Sequence, residues 1–134
     1  MDSVFESDFS RGSFEVIQQV RSGVQRGKAD EIAQRFGLTD KELAPILKLS
    51  ERTLHRIRPD ALLDNNSSER LLLLEQLLSH GLDVFDDRAD VLGRWLRIPL
   101  SELRQQPPLA LLDTTTGFGM VHTVLGRIEH GIYA

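Results

Sequence analysis

Cysteine is absent from the 134-residue chain. That excludes a disulfide scaffold, a thiolate metal site and a cysteine nucleophile, and it fits a reducing cytosol. No apolar run approaches the ~18 residues a membrane span needs, so no membrane partner is expected. The opening residues lack the basic-then-apolar order of a secretory signal, and the expected location is the cytoplasm. Long alternation of apolar and polar residues is missing, as are Asn-Gly and Asp-Gly hairpin turns, which leaves almost no β-strand. A net positive charge is missing too. The formal charge is −4, which excludes the strongly basic body of a bulk nucleic-acid binder.

What is present is an ordinary globular balance, 40% apolar and 27% charged. It suits one domain, or two small ones sharing a core, with no need of staples. Charge is unevenly spread. Residues 1–66 hold 10 Lys/Arg and 11 Asp/Glu, whereas residues 67–134 hold 6 and 9. Within the near-neutral first half, Lys48, Arg52, Arg56 and Arg58 stand against Glu51 alone. This local basic patch reads either as a phosphate-binding surface on an acidic body or as a solvated helix face.

Helical spacing recurs along the chain. Phe14, Ile17, Val20 and Val24 form a first stripe, broken by Gly23 and Gly27. Ala29, Ile32, Ala33 and Phe36 form a second, with Gly37 as a left-handed cap. Thr39-Asp40-Lys41-Glu42 reads as a capping box, followed by Leu43, Ala44, Ile46 and Leu47. Ser50 caps the next helix, which turns Leu54 and Ile57 inward and stops before Pro59. The polar stretch Asp60 to Ser67 is the candidate boundary, dividing the chain into residues 1–63 and 64–134. A leucine-rich helix is expected from about Ser68 to His80, ended by Gly81. Its leucines cover more than one face, which suits a central core helix or a subunit contact. Asp86 or Asp87 starts the next helix, with Ala89, Leu92, Trp95 and Leu96 inward and Pro99 as the stop. Short turns follow at Ser101–Leu103 and Pro108–Leu112. A last helix runs from about Gly117 to Glu129, and Gly131 ends it. The fold class is therefore all-α.

The sharpest local constellation is Leu38 to Ile57. Two short helices joined by a tight turn, with small Ala44 at their closest approach, make a helix-turn-helix. A second helix enters a major groove only if its inner face is clamped and its outer residues are accessible. This spacing turns Ser50, Arg52, Thr53, His55 and Arg56 outward as candidate DNA contacts. Arg takes guanine O6 and N7 in a bidentate pair, while Ser, Thr and His suit phosphates or base edges. Ser50 and the amides at the helix start can also hold a phosphate. Lys48 stands where such turns prefer glycine, because the chain there tends toward positive φ. Pro45 lies beyond the first turn of its helix, so a kink or a weakened hydrogen bond near Lys41 is expected.

The remaining polar residues carry little chemistry. His55, His80, His122 and His130 are scattered, and only His122 and His130 fall on one helix face, so no metal is expected. Asp83, Asp86, Asp87 and Asp90 suit a helix N-terminus for dipole reasons alone. Gly117-Phe118-Gly119 follows no strand and lacks a third glycine. Nothing supports catalysis or a cofactor, and the chain is expected not to be an enzyme.

Several motifs together resemble one family. Ser50-Glu51-Arg52-Thr53-Leu54-His55-Arg56, Trp95-Leu96 before Pro99, and Pro107-Pro108-Leu109-Ala110-Leu111-Leu112-Asp113-Thr114 are followed by Gly117, Leu125-Gly126-Arg127-Ile128-Glu129-His130-Gly131 and Tyr133. In this order they resemble the Xre/MbcA/ParS antitoxins, from about Phe14 onward. The resemblance implies an Xre-like helix-turn-helix bundle followed by a helical toxin-binding domain. It implies a RES-type toxin partner that consumes NAD, a homodimer within a larger toxin–antitoxin complex, and repression of its own operon through operator DNA.

The outward polar face of the last helix, Arg127, Glu129 and His130, could then plug the toxin's nucleotide cleft, together with Gly131, Ile132, Tyr133 and Ala134. Tyr133 has the rigid bulk of an interface anchor, and a terminal carboxylate on Ala134 suits cations that otherwise hold NAD phosphates. Taken without the resemblance, the same residues read as a solvated face and a frayed tail. The alternative function is a stand-alone helix-turn-helix repressor whose second half only dimerises or senses a ligand, with a small helical enzyme as a third class.

Overall fold

The computed structural model describes residues 13–131, so Ile132, Tyr133 and Ala134 lie outside the described residues. Seven α-helices and two 3₁₀ turns make up its regular structure, with no strand among the described residues beyond two isolated bridges. In chain order they are α1 (Ser13–Ser22), α2 (Arg26–Phe36), α3 (Asp40–Leu47), α4 (Glu51–Arg56), α5 (Asn65–Val84) and α6 (Ala89–Trp95), then 3₁₀ turns at Ser101–Leu103 and Pro108–Leu111, then α7 (Thr115–Glu129). None of the described helices is long and apolar enough to cross a membrane.

Local chemistry sets most of these boundaries. Gly37 ends α2 in the left-handed conformation at φ 70°. The Thr39 hydroxyl accepts from the Glu42 amide at 3.1 Å while the Glu42 carboxylate accepts from the Thr39 amide at 3.0 Å, completing the expected capping box. Such a cap is worth about 1 kcal/mol. The α3 helix runs through Pro45 to Leu47 and closes on Lys48, which holds φ 60° without being glycine. Helices of eight and six residues are unstable alone. Here α3 and α4 persist because Leu43, Ile46, Leu47 and Leu54 are buried in a common core.

The leucine helix is the spine of the molecule. α1, α3, α6 and α7 all pack on α5, and Leu71, Leu72, Leu74, Leu77 and Leu78 are buried. Its leucines therefore serve the core of this chain. One apolar cluster runs from Ala29 to Leu125, with Trp95 buried in it and tilted against Phe85.

Four sequence expectations are corrected. α5 starts at Asn65, with the Asp64 carboxylate accepting from the Ser67 amide at 2.7 Å, and continues through Gly81 to Val84. Gly81 is a packing residue: a Cβ there would lie 2.6 Å from Leu92 Cδ1, so the helix needs a hole at that point, not a stop. Asp86 and Asp87 do not start α6. Both adopt left-handed φ, 56° and 63°, in the turn, and the helix begins after Arg88. α7 begins at Thr115, capped by the Thr114 hydroxyl on the Gly117 amide, and Gly117 serves close packing inside its first turn. The first stripe is only partly covered. Phe14 is 79% exposed and Ile17 39%, while Val20 of the same stripe and Val16 beside it are half-buried, and Val16 and Gln19 line a groove with Leu72 and Gln76 of α5.

Candidate functional site

The first candidate surface is α4. Leu54 is fully buried, Ile57 and Leu49 are half-buried, and these anchors fix the inner side of the turn. Ser50, Arg52, Thr53, His55 and Arg56 are all exposed, as is Glu51, so each of the five predicted residues is accessible. Their states differ. The Ser50 hydroxyl accepts from the Thr53 amide at 3.0 Å and donates to the Thr53 hydroxyl at 2.9 Å. The Ser50 hydroxyl is thereby committed to holding the start of α4, while the Thr53 hydroxyl, the acceptor in this pair, keeps its own O–H to donate. His55 Nε2 lies 3.3 Å from Asp40 and 3.8 Å from Glu51. Arg52 and Arg56, one turn apart, make no ion pair among the described residues. They are the cations that α4 presents outward, flanked by the acidic pair Asp40 and Glu51. Sequence spacing misses Asp40 as a neighbour of His55, because it is the packing of α4 on α3 that brings them together.

The second candidate surface is the end of α7. Arg127, Glu129, His130 and Gly131 are exposed, while Val121, Val124 and Leu125 hold the opposite side in the core. Glu129 is tied inward as well: its Oε1 lies 3.3 Å from Nε2 of His80, a residue of α5 that is 7% exposed. Nδ1 of His80 in turn lies 3.0 Å from Nδ1 of His122, with the two rings stacked 5.2 Å apart. Histidine spacing along α7 had suggested a shared face for His122 and His130, but His122 turns inward to His80. Burial and the neighbouring His80 hold the His122 imidazole at about 4, below its ordinary 6.5. No trio of His, Asp or Glu among the described residues is arranged to hold a metal ion.

This geometry defines a class: a helical protein with a clamped helix-turn-helix and, later in the chain, an exposed helix terminus. Residues 15–75 match the antitoxin Xre-like helix-turn-helix domain, and residues 80–131 match the antitoxin Xre/MbcA/ParS C-terminal toxin-binding domain. The chain belongs to the Xre-type antitoxins. Among curated relatives, it is 33% identical over 67 residues to "Antitoxin Xre" of Photorhabdus laumondii, covering 50% of this chain and 45% of that protein. It is 25% identical over 126 residues to "Antitoxin Xre" of Yersinia enterocolitica, covering 93% and 84%. It is 26% identical over 127 residues to the "Prs ADP-ribosylating antitoxin" of a Sphingobium species, covering 88% and 80%. The match to the Photorhabdus protein thus spans less than half of that relative's length.

Proposed function

We propose that this chain neutralises a RES-type, NAD-degrading toxin by covering its active site, and represses its own operon by binding operator DNA. In this reading it acts as a stoichiometric binder, not a catalyst, in the cytoplasm, and as a homodimer within the toxin–antitoxin complex. Residues 1–63 carry the duplex contacts and residues 64–134 the toxin contacts. The observation that supports it is the union, around one core, of an Xre-like helix-turn-helix with outward Arg52 and Arg56 and a C-terminal toxin-binding domain.

The two ends act by different physics. At α4, guanidinium groups exchange condensed counterions for phosphate and read guanine edges. An acidic body elsewhere limits binding to arbitrary sequence. At α7, Arg127, Glu129, His130 and Gly131, continued by Ile132, Tyr133 and Ala134, offer a polar rim and an aromatic anchor to a nucleotide cleft.

Deleting Gly131 to Ala134 tests the second half of this reading. Co-expression with the toxin encoded beside it should lose protection of the host while the purified protein still binds its operator. Unchanged protection would remove the plug and leave the stand-alone repressor as the better account. Turnover of NAD by the purified chain alone would overturn the non-catalytic role.

A further inference from the structure

The α3 helix is gripped at both ends by arginines from outside the helix-turn-helix. At its head, Arg97 lies just after α6. Its guanidinium donates to both oxygens of Glu42 at 2.7 Å, to the Gly37 carbonyl at 2.6 Å and to the Gly93 carbonyl at 2.8 Å. Glu42 is the capping-box residue of α3 and Gly37 is the cap of α2, so one side chain fixes the whole α2–α3 corner. The approach is close: a Cβ on Gly93 would stand 2.7 Å from the Phe36 carbonyl oxygen. At the tail, Arg70 of α5 is only 5% exposed. Its Nε donates to the Ile46 carbonyl, and its other arm donates to the Leu112 carbonyl at 2.7 Å. Beside it the Ser67 hydroxyl donates to the Leu47 carbonyl at 2.8 Å. The last carbonyls of a helix lack partners within it; here the Lys48 and Leu49 amides take those of Pro45 and Ala44, and Arg70 and Ser67 take those of Ile46 and Leu47.

We propose that Arg97, a residue of the toxin-binding domain, is a positioning residue for DNA reading: by locking the Gly37–Glu42 corner it sets the pose in which α4 offers Arg52 and Arg56 to a duplex, with Arg70 steadying the other end of α3. Only Lys48, Leu49 and Ser50 separate α3 from α4, and the two helices pack on each other with Leu47 and Leu54 in one buried cluster, so a tilt of α3 carries α4 with it. The fork of Arg97 suits this task because one planar group reaches a carboxylate bidentately and a carbonyl together, which a lysine ammonium cannot do. The guanidinium beside Glu42 also holds that carboxyl below the usual carboxylate range. The inference rests on the proposed operator binding by α4 and adds that operator affinity is set partly from the second half.

The test uses the full chain and a fluorescent duplex spanning its own promoter. Glu42→Gln keeps a capping-box residue but gives up the ion pair. It also removes a negative charge near the duplex, so a purely electrostatic effect would leave binding equal or tighter. Positioning instead predicts about tenfold weaker binding for Glu42→Gln, for Arg97→Gln and for Arg97→Lys, with the Glu42→Gln/Arg97→Gln double variant no worse than either single. A parent-like far-UV circular-dichroism spectrum and melting above the assay temperature establish that each variant is folded, and Arg97→Lys serves if a glutamine variant melts. Glu42→Gln and Arg97→Lys binding as tightly as the parent would overturn the inference while leaving operator binding intact. A parent chain that does not bind its promoter overturns the functional reading, and the inference with it.

Discussion

His80 and His122 face each other through their Nδ1 atoms at 3.0 Å, joining α5 to α7 across 42 residues of sequence. A bond between two ring nitrogens needs one donor and one lone pair, so the two imidazoles must hold complementary tautomers. A proton on each would set two donors against each other. Glu129, 3.3 Å from the far nitrogen of His80, extends the chain of contacts to the exposed end of α7.

Stability should therefore fall in mild acid. Burial and His80 keep His122 at about 4 when folded, against 6.5 ordinarily. The unfolded chain binds this proton more readily throughout that interval, so His122 contributes fully above about 6.5 and its contribution is lost as pH drops toward 4. Urea unfolding from pH 7 to pH 4 should show a steeper decline for the parent than for His122→Gln. Parallel profiles would show that His122 is not the titrating group.

Gly117→Ala should be among the most damaging single-methyl changes in the chain. A Cβ there would lie 1.7 Å from the Leu111 carbonyl oxygen, with backbone on both sides of the clash. The Pro108–Leu111 turn would have to lift off α7. The expected cost is at or above the upper end of the ~1–3 kcal/mol range for overpacking. Gly119→Ala, where the added Cβ meets nothing within 4 Å, is the control. Chemical denaturation of the two variants compares them directly.

Lys48→Gly should stabilise the chain. Lys48 holds φ 60° in an exposed turn, a conformation that costs an L-residue about 1–2 kcal/mol and glycine far less. Glycine's extra entropy in the unfolded chain offsets part of this, leaving a gain of about 0.5–1 kcal/mol. Thermal melting reads the shift, and an unchanged or lower midpoint would mean that the lysine makes up the strain elsewhere.

Arg52→Ala/Arg56→Ala should weaken operator binding and lower the slope of log K against log salt by about 2, one for each lost phosphate contact. Loss of affinity at an unchanged slope would instead assign both side chains to base edges. Toxin neutralisation should be unaffected, because both residues lie on α4, outside residues 80–131 that match the toxin-binding domain.

The parts of this fold legible in the sequence are those set within one helical turn. Thr39 and Glu42 cap α3 because they are three residues apart, and Gly37 and Lys48 take left-handed backbone where the helical stripes end. Val121, Val124 and Leu125 are inward because 3.6-residue periodicity admits no other face. Gly81 shows where such reasoning fails. A glycine after a leucine stripe reads locally as a stop, yet the helix continues through it, and the missing side chain leaves room for Leu92, eleven positions later. The exposure of Ser50, Arg52, Thr53, His55 and Arg56 follows from spacing around Leu54 alone. That Ser50 spends its hydroxyl on the cap is also local, three residues from Thr53, whereas the lean of His55 toward Asp40 depends on how α4 sits against α3.

By itself the sequence determined that this protein is helical, where most of its helices begin and end, and which family order its motifs follow, since capping, periodicity and turn preference act over a few residues. Only the tertiary structure decided which charged and polar groups meet. Arg97 finds Glu42 across 55 residues and Arg70 finds Leu112 across 42, and His80 meets His122 at the same separation. Any of several arginines or carboxylates would serve such a pair in water. Helix packing selects one by removing the others from reach and the solvent from between.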